Sequence, residues 1–559
     1  MNILIGGEAG QGLATVGEIL AKSLVRSGYY IVVTQSYQSR IRGGHNTFAI
    51  RVSSQPIWAP RESYDLLVAL NEETITLHQK ELTPSGLIVA DQGCAVDEKN
   101  CIRVPFGHLA PRPLANVAAL GVAGALLGLD QELISLTLEK FFGKKKAELS
   151  KENQQVLRAA YQWATTQPLA LPKLPKIADP PPRLILHGNE AIALGAISAG
   201  LKFYAFYPMT PSTSIGLTLA RLAAEMELVV EQAEDEIAAI NMAIGAAFAG
   251  APSMVGTSGG GFALMVEGVS LAGMTETPLV IVVAQRPGPA TGLPTRTEQG
   301  DLNFVLHAGH GEFPRAILAP ATVEECFYLT YKAFHLAEKF QSPVFILTDQ
   351  FLADSYRAVE PFTLEGLTPV SLLLKDQSYS LPYRRFAFTE NGVSPRLLPG
   401  LSEHLVVAGS DEHTEDGHLT EDLEVRQKMV EKRLRKMAGI KREIILPHFE
   451  GEEKADLLLL SWGSTKGAVT EAAEILRAAG QKVSTLHFSQ VWPLPTDHFP
   501  KYFLGAKKII SIEGNATGQF ASLLRRESGL AVSQKISRYD GLPITPDYIL
   551  RKLGEMNLW

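Results

Sequence analysis

Apolar positions along this chain follow two alternating rhythms: short unbroken runs, and longer stretches in which they recur every three or four residues. Runs at 2–5, 30–34, 47–52, 66–69 and 86–90 read as strands and alternate with helical patterns at 12–27 and 114–127. That alternation predicts an α/β domain. A second series follows: helix 190–199, strand 203–207, helix 214–225, strand 227–231, a small-residue helix 235–249, strand 253–257, helix 261–272, and strands 278–284 and 343–348. Strands separated by helical crossovers predict a parallel, doubly wound sheet. A last α/β unit opens with the apolar run at 455–461 and continues through helix 467–479 and strands 482–487 and 508–513.

Between these series the pattern breaks. Residues 169–183 place five prolines in fifteen positions, which makes a semi-rigid extended linker. Residues 359–447 carry few apolar periods and many prolines and end in a charged helix, 420–437, as expected of a linker that wraps surfaces. The expected boundaries are 1–168, the linker 169–183, 184–358, the wrapping linker 359–447, and 448–559.

Composition narrows the classes. A chain of 559 residues with 46% hydrophobic content supports several packed cores and is neither disordered nor fibrous. A net charge of −7, with 52 basic and 59 acidic residues spread along the chain, gives no electrostatic reason to expect nucleic acid. The one basic cluster, Lys144 to Lys146, reads as a solvated helix end. Cys94, Cys101 and Cys326 can neither frame disulfides nor supply the four thiolates of an iron-sulfur cluster, and fit a reducing, cytoplasmic compartment. The first residues form an apolar strand running into glycines, unlike a signal peptide. The apolar stretches 114–129 and 237–250 are too short for a bilayer and read as buried helices, so no membrane insertion is expected.

Candidate chemistry gathers at turns after strands. Gly6-Gly-Glu-Ala-Gly-Gln-Gly12 can receive an anion on its backbone amides or simply make a tight turn, and its spacing departs from the dinucleotide fingerprint. In Ser39-Arg-Ile-Arg-Gly-Gly-His-Asn46, Arg40 and Arg42 suit carboxylate or phosphate, or pair with acids across an interface. Tyr207-Pro-Met-Thr-Pro-Ser-Thr-Ser214 ends a strand and starts a helix. Capping can explain Ser212 and Ser214, but not Thr210 held between two prolines at the sheet edge where ligands bind. Glu231, Glu234, Asp235 and Glu236 are either an acidic helix start or include a functional carboxylate. Thr257-Ser-Gly-Gly-Gly-Phe262 is a strand-to-helix turn, and the long loop Gln285 to Asp301, rich in glycine and proline, carries Arg286 and Thr295. The cluster 411–418 holds histidines and carboxylates at spacings that fit no compact metal site.

Taken in order, these segments resemble the 2-oxoacid:ferredoxin oxidoreductase family over essentially the whole chain. The resemblance implies a multidomain α/β protein in which a gamma-type domain (1–168) is fused to a thiamine diphosphate pyrimidine-binding domain (184–358) and a transketolase C-terminal-like domain (448–559). It implies that Glu236 activates the cofactor, that Tyr207, Pro208, Thr210, Thr257, Ser258 and Gly259 line its ring, and that Thr210, Arg286 and Thr295 meet the 2-oxoacid. Arg40, Arg42 and His45 would lie near coenzyme A and the substrate's far end. Glu513-Gly-Asn-Ala-Thr-Gly-Gln-Phe520 matches the C-terminal domain, whose usual work is assembly.

No Gly-Asp-Gly with a downstream Asn, the pattern that holds Mg²⁺ and diphosphate, is present. The resemblance therefore implies a partner beta subunit carrying Mg²⁺, the diphosphate contacts and a 4Fe–4S cluster, electron delivery to ferredoxin, and a dimer of alpha-beta heterodimers. The expected reaction is coenzyme A-dependent oxidative decarboxylation, with 2-oxoglutarate favoured as substrate. Pyruvate or another 2-oxoacid, a thiamine-dependent dehydrogenase or transketolase component, and a non-catalytic scaffold subunit are the alternatives.

Overall fold

The computed structural model describes residues 1–37, 44–95, 99–111, 114–142, 147–168, 171–370 and 379–559. Arg40, Arg42 and Lys144 to Lys146 lie outside the described residues. The chain divides into two compact units, one of residues 1–187, 354–362 and 545–558, the other of residues 188–353, 363–544 and 559.

The first unit is built on an eight-stranded sheet. Its spatial order is Cys101–Val104, Leu82–Asp91, Tyr64–Ala69, Asn2–Glu8, His45–Ser53, Tyr30–Ser36, Arg357–Val359 and Leu184–Leu186. The first four are mutually parallel, whereas His45–Ser53 runs antiparallel to both of its neighbours. Helix Ala115–Leu127 is buried all round from Val117 to Leu127, as its near-continuous apolar sequence requires. Gly121 makes that burial possible, since a Cβ there would come within 2.6 Å of the Leu157 carbonyl on helix Ala147–Thr165.

The second unit holds two sheets. One runs in the order Gln490–Trp492, Ala316–Leu318, Pro343–Asp349, Leu279–Gln285, Ser253–Thr257, Phe203–Phe206 and Val229–Gln232. All its pairs are parallel except the first, where Gln490–Trp492 joins antiparallel. The central strands Leu279–Gln285 and Pro343–Asp349 are buried at every position, as expected where helices cover both faces. The other sheet is five-stranded around Leu457–Trp462, and one apolar core runs through both sheets.

The wrapping segment ends in helix Leu423–Arg442, which starts three residues after and ends five after the expected 420–437. Asp422 fixes its start by accepting from the backbone N–H groups of Glu424 and Val425 at 2.8 and 3.0 Å. The helix then continues past Met437 because Gly439 and Ile440 are buried. The 411–418 cluster fastens to this helix. Glu412 accepts from Arg433 at 3.0 and 2.8 Å and pairs with Arg426, and buried His413 lies 3.8 Å from the Phe386 ring. Deeper in, Lys432 and Lys436 converge on the buried carboxylate of Glu276.

Candidate active site

The site lies at the carboxyl ends of the parallel strands of the second unit, the edge where open α/β sheets bind ligands. Strand Phe203–Phe206 delivers Tyr207 to Thr210, and the following helix, Thr213–Met226, receives no side-chain cap from Ser212. Ser212 Oγ instead donates to the Met209 carbonyl at 2.8 Å, and Ser214 Oγ accepts from Asn189 Nδ2 at 2.8 Å. Asn189 also donates to the Pro211 carbonyl at 2.7 Å, so the turn is held from outside and Thr210 is left facing the strand ends.

Helix Glu236–Phe248 separates the acids that the sequence left together. Asp235 is its N-cap, accepting from the Ala238 N–H at 2.7 Å, while Glu231 and Glu234 are exposed. Glu236 alone is buried, at 4% exposure, and its Oε1 has no hydrogen-bond partner. The helix lies close to Gly259–Met274, because Gly268 leaves only 2.7 Å between an added Cβ and Ile240. At the start of that second helix, a Cβ on Gly261 would collide with Glu236 Oε1 and Thr257 Oγ1. The glycine turn thus lets the carboxylate approach.

Strand Leu279–Gln285 opens into the long loop. Arg286 Nη1 donates to the Thr210 carbonyl at 2.7 Å, bringing two expected substrate residues into contact. Burial lowers the Arg286 pKa and Asp301 opposes that shift. Thr257 and Ser258 are fully buried, and Thr257 Oγ1 lies 3.9 Å from Met209 Sδ. Thr295 is half-buried in the same loop, and no hydrogen bond among the described residues ties it to Thr210 or Arg286. His45 belongs to the first unit, with Nε2 2.9 Å from His78 Nε2, and His78 Nδ1 lies 2.7 Å from Glu81. Burial lowers the His45 pKa, with His78 adding to the effect.

Four buried polar atoms around the glycine turn and loop have no partner: Glu236 Oε1, Ser258 Oγ, Arg286 Nε and Asp301 Oδ2. Interiors rarely leave such atoms unpaired, since each costs about 1–3 kcal/mol. Their gathering in one place marks a site shaped for a polar ligand. An unpartnered carboxylate oxygen over a glycine cradle, with hydroxyls beside it, fits an aminopyrimidine ring.

Sequence reasoning assigned no role to three residues of the loop system. Asp301 is one. Gln299 is another: it donates from Nε2 to the Trp462 carbonyl at 3.0 Å and accepts on Oε1 from the Gly514 N–H at 2.9 Å. Gln519 is the third, donating to the Gly300 carbonyl at 2.6 Å and accepting from the Asn303 N–H at 2.9 Å. Asp349 adds a further tie, accepting from Thr297 Oγ1 at 3.4 Å and from Ser464 Oγ. In the 513–520 motif, Glu513 caps helix Gln519–Ser528 by accepting from the N–H groups of Phe520 and Ala521 at 2.8 and 2.9 Å. The only signal for these clamps was the length of the loop.

The fold and site are those of a thiamine diphosphate-binding α/β enzyme. Residues 194–432 match the family described as "Pyruvate flavodoxin/ferredoxin oxidoreductase, thiamine diP-bdg", residues 2–163 "Pyruvate ferredoxin/flavodoxin oxidoreductase", and residues 455–549 "Pyruvate:ferredoxin oxidoreductase core domain II". The chain is 32% identical to a 2-oxoacid:ferredoxin oxidoreductase subunit alpha from Sulfolobus sp, covering 97% of this chain and 95% of that one. It is 33% identical to the 2-oxoglutarate synthase subunit KorA of Methanothermobacter marburgensis, covering 66% of this chain and 98% of the relative. A solved 2-oxoglutarate:ferredoxin oxidoreductase from Magnetococcus marinus, with 2-oxoglutarate, coenzyme A and succinyl-CoA bound, superposes with a TM-score of 0.93 at 31% identity over 99% of each chain. The chain belongs to the 2-oxoacid:ferredoxin oxidoreductase family, as an alpha subunit. Among the described residues no helix is long and apolar enough to cross a membrane.

Proposed function

We propose that this chain, with a partner beta subunit, carries out coenzyme A-dependent oxidative decarboxylation of 2-oxoglutarate to an acyl-CoA and carbon dioxide, passing the electrons to ferredoxin. The observation that carries the reading is Glu236, a buried carboxylate with an unpartnered oxygen above a glycine turn. Thiamine diphosphate, when bound, supplies the electron sink for loss of carbon dioxide. Tyr207, Pro208, Thr210, Thr257, Ser258 and Gly259 would line its ring, and Glu236 would hold a hydrogen bond to it from Oε1 and manage the proton there. Arg286 and Thr210 would orient the substrate carboxylate, with Thr295 along the pocket wall.

The partner would contribute Mg²⁺, the diphosphate contacts and a 4Fe–4S cluster, in a dimer of alpha-beta heterodimers working in a reducing, cytoplasmic setting. Free Cys94, Cys101 and Cys326 fit that setting. The preference for 2-oxoglutarate is supported by the names of the KorA relatives and of the Magnetococcus marinus structure, and by Arg40, Arg42 and His45 as candidates for a second carboxylate. The test is anaerobic purification of the complex and viologen reduction with coenzyme A and each 2-oxoacid in turn. A brown two-subunit preparation most active on 2-oxoglutarate is the expected result. A colourless, inert single chain would overturn the reading.

A further inference from the structure

Asp301 occupies the N-cap of the short helix Leu302–Leu306, where an aspartate ordinarily accepts from a first-turn N–H, yet its side chain makes no such bond. It turns instead against Gly259, where an added Cβ would collide with Oδ2 and lie 2.9 Å from Oδ1. The main chain fixes this orientation. The Asp301 N–H donates to Gln285 Oε1 at 2.9 Å, and Gln285 Nε2 donates to the Thr348 carbonyl at 3.1 Å. The carboxylate is thereby held by the residue that immediately precedes Arg286.

The charges facing Asp301 are Arg286 and, on its own loop, Glu298. Helix Gly259–Met274, packed against it, has no acidic residue in its first turn. No hydrogen bond uses Asp301 Oδ2 or Arg286 Nε. The two groups sense each other's charge while both keep capacity for something else. Burial raises the Asp301 pKa to about 6, with Arg286 opposing the rise.

Resting on the functional reading above, we propose that Asp301 is a resident counter-ion of Arg286 that yields to the carboxylate of the 2-oxoacid, so that substrate binding takes up a proton at Asp301. Two carboxylates sharing one guanidinium in a water-poor site do not both stay ionised. The substrate brings the second. Asp301 acts through Arg286 and is a positioning residue. It sets the pH range over which the arginine is available without taking part in bond breaking.

The test is the pH dependence of KM for the 2-oxoacid, separated from kcat, in the complex with its partner subunit. KM is expected to rise about tenfold between about pH 6 and about pH 8 while kcat changes little, the size of a one-unit coupling. Asp301→Asn should flatten that rise and give the lower KM at the alkaline end, whereas Glu298→Gln should keep the slope. A KM raised equally at every pH in Asp301→Asn, or a slope lost in Glu298→Gln, would overturn the proposal. The parent curve and the Glu298→Gln curve decide the matter even if Asp301→Asn does not assemble. A complex that turns over no 2-oxoacid removes both readings, and turnover with a pH-independent KM removes this one alone.

Discussion

Arg286 donates a 2.7 Å hydrogen bond from Nη1 to the backbone oxygen of Thr210, 76 residues earlier in the chain. The bond spends one guanidinium edge on aligning the Thr210 turn and leaves Nε buried without a partner. Arg286→Ala should therefore raise KM for the 2-oxoacid by about tenfold to a hundredfold, as the loss of a charge-assisted contact of about 1.5–3 kcal/mol implies. Steady-state kinetics across 2-oxoacid concentrations check this, and an unchanged KM would remove Arg286 from the substrate site.

Glu236→Gln keeps the shape of a side chain whose Oε1 makes no hydrogen bond in the protein, so folding should not suffer. Turnover should fall by about 10²–10⁴-fold, the range for loss of a positioned proton-transfer group. Viologen reduction and thermal melting of the same preparation separate the two effects. Full activity would show that another carboxylate does the work.

Gly261→Ala tests the cradle by itself. The added Cβ would meet Glu236 Oε1 and Thr257 Oγ1, so the carboxylate must swing away and thiamine diphosphate affinity should fall by about tenfold or more. Titration of the apo complex with the cofactor measures it. Affinity equal to the parent would mean that Glu236 is not needed in the position it holds here.

Glu276 sits at 1% exposure against Lys432 Nζ at 2.6 Å and Lys436 Nζ, with Arg385 donating to its carbonyl at 2.8 Å. Burial opposes its ionisation, but Lys436, Lys432 and Arg385 outweigh burial and hold its pKa well below the usual carboxylate range. Glu276→Gln would leave those three cations without their buried counter-charge. The cost should be about 3–5 kcal/mol, seen as a large fall in melting temperature that Lys432→Met in the same chain partly reverses.

His487 gives the acid limit of stability. Burial pushes its imidazole down to about 3, against the opposing pull of Glu325, from an ordinary 6.5. Between those values the unfolded chain binds more protons than the folded one, so acid favours unfolding. The stability is fully present above about pH 6.5 and is lost as pH falls, by at most about 1.4 kcal/mol per pH unit. Melting curves at about pH 7.5 and about pH 5.5 should show a larger acid-induced drop for the parent than for His487→Gln. Equal drops would assign the acid sensitivity elsewhere.

Much of the candidate site was legible before the fold because its signals are local. The proline-flanked Thr210, the acidic helix start at Glu236 and the loop after Gln285 all fall within short windows of sequence. Asp301, Gln299 and Gln519 were not legible, because Gln299 finds Gly514 at a separation of 215 residues and Gln519 finds Gly300 at 219. Nothing near either residue announces its partner. Capping, a sound local expectation for Ser212, gave way to the Met209 carbonyl once the turn had closed.

By itself the sequence determined the order of strands and helices, the parallel α/β class and the family motifs, since hydrophobic rhythm, caps and glycine turns act between near neighbours. Only the tertiary structure decided which of four adjacent acids is a cap and which is buried with an oxygen to spare, and that Asp301 faces Gly259 instead of capping its own helix. The physical reason is that burial and unsatisfied hydrogen-bonding capacity belong to no residue alone. They arise when distant segments exclude water from the same few atoms.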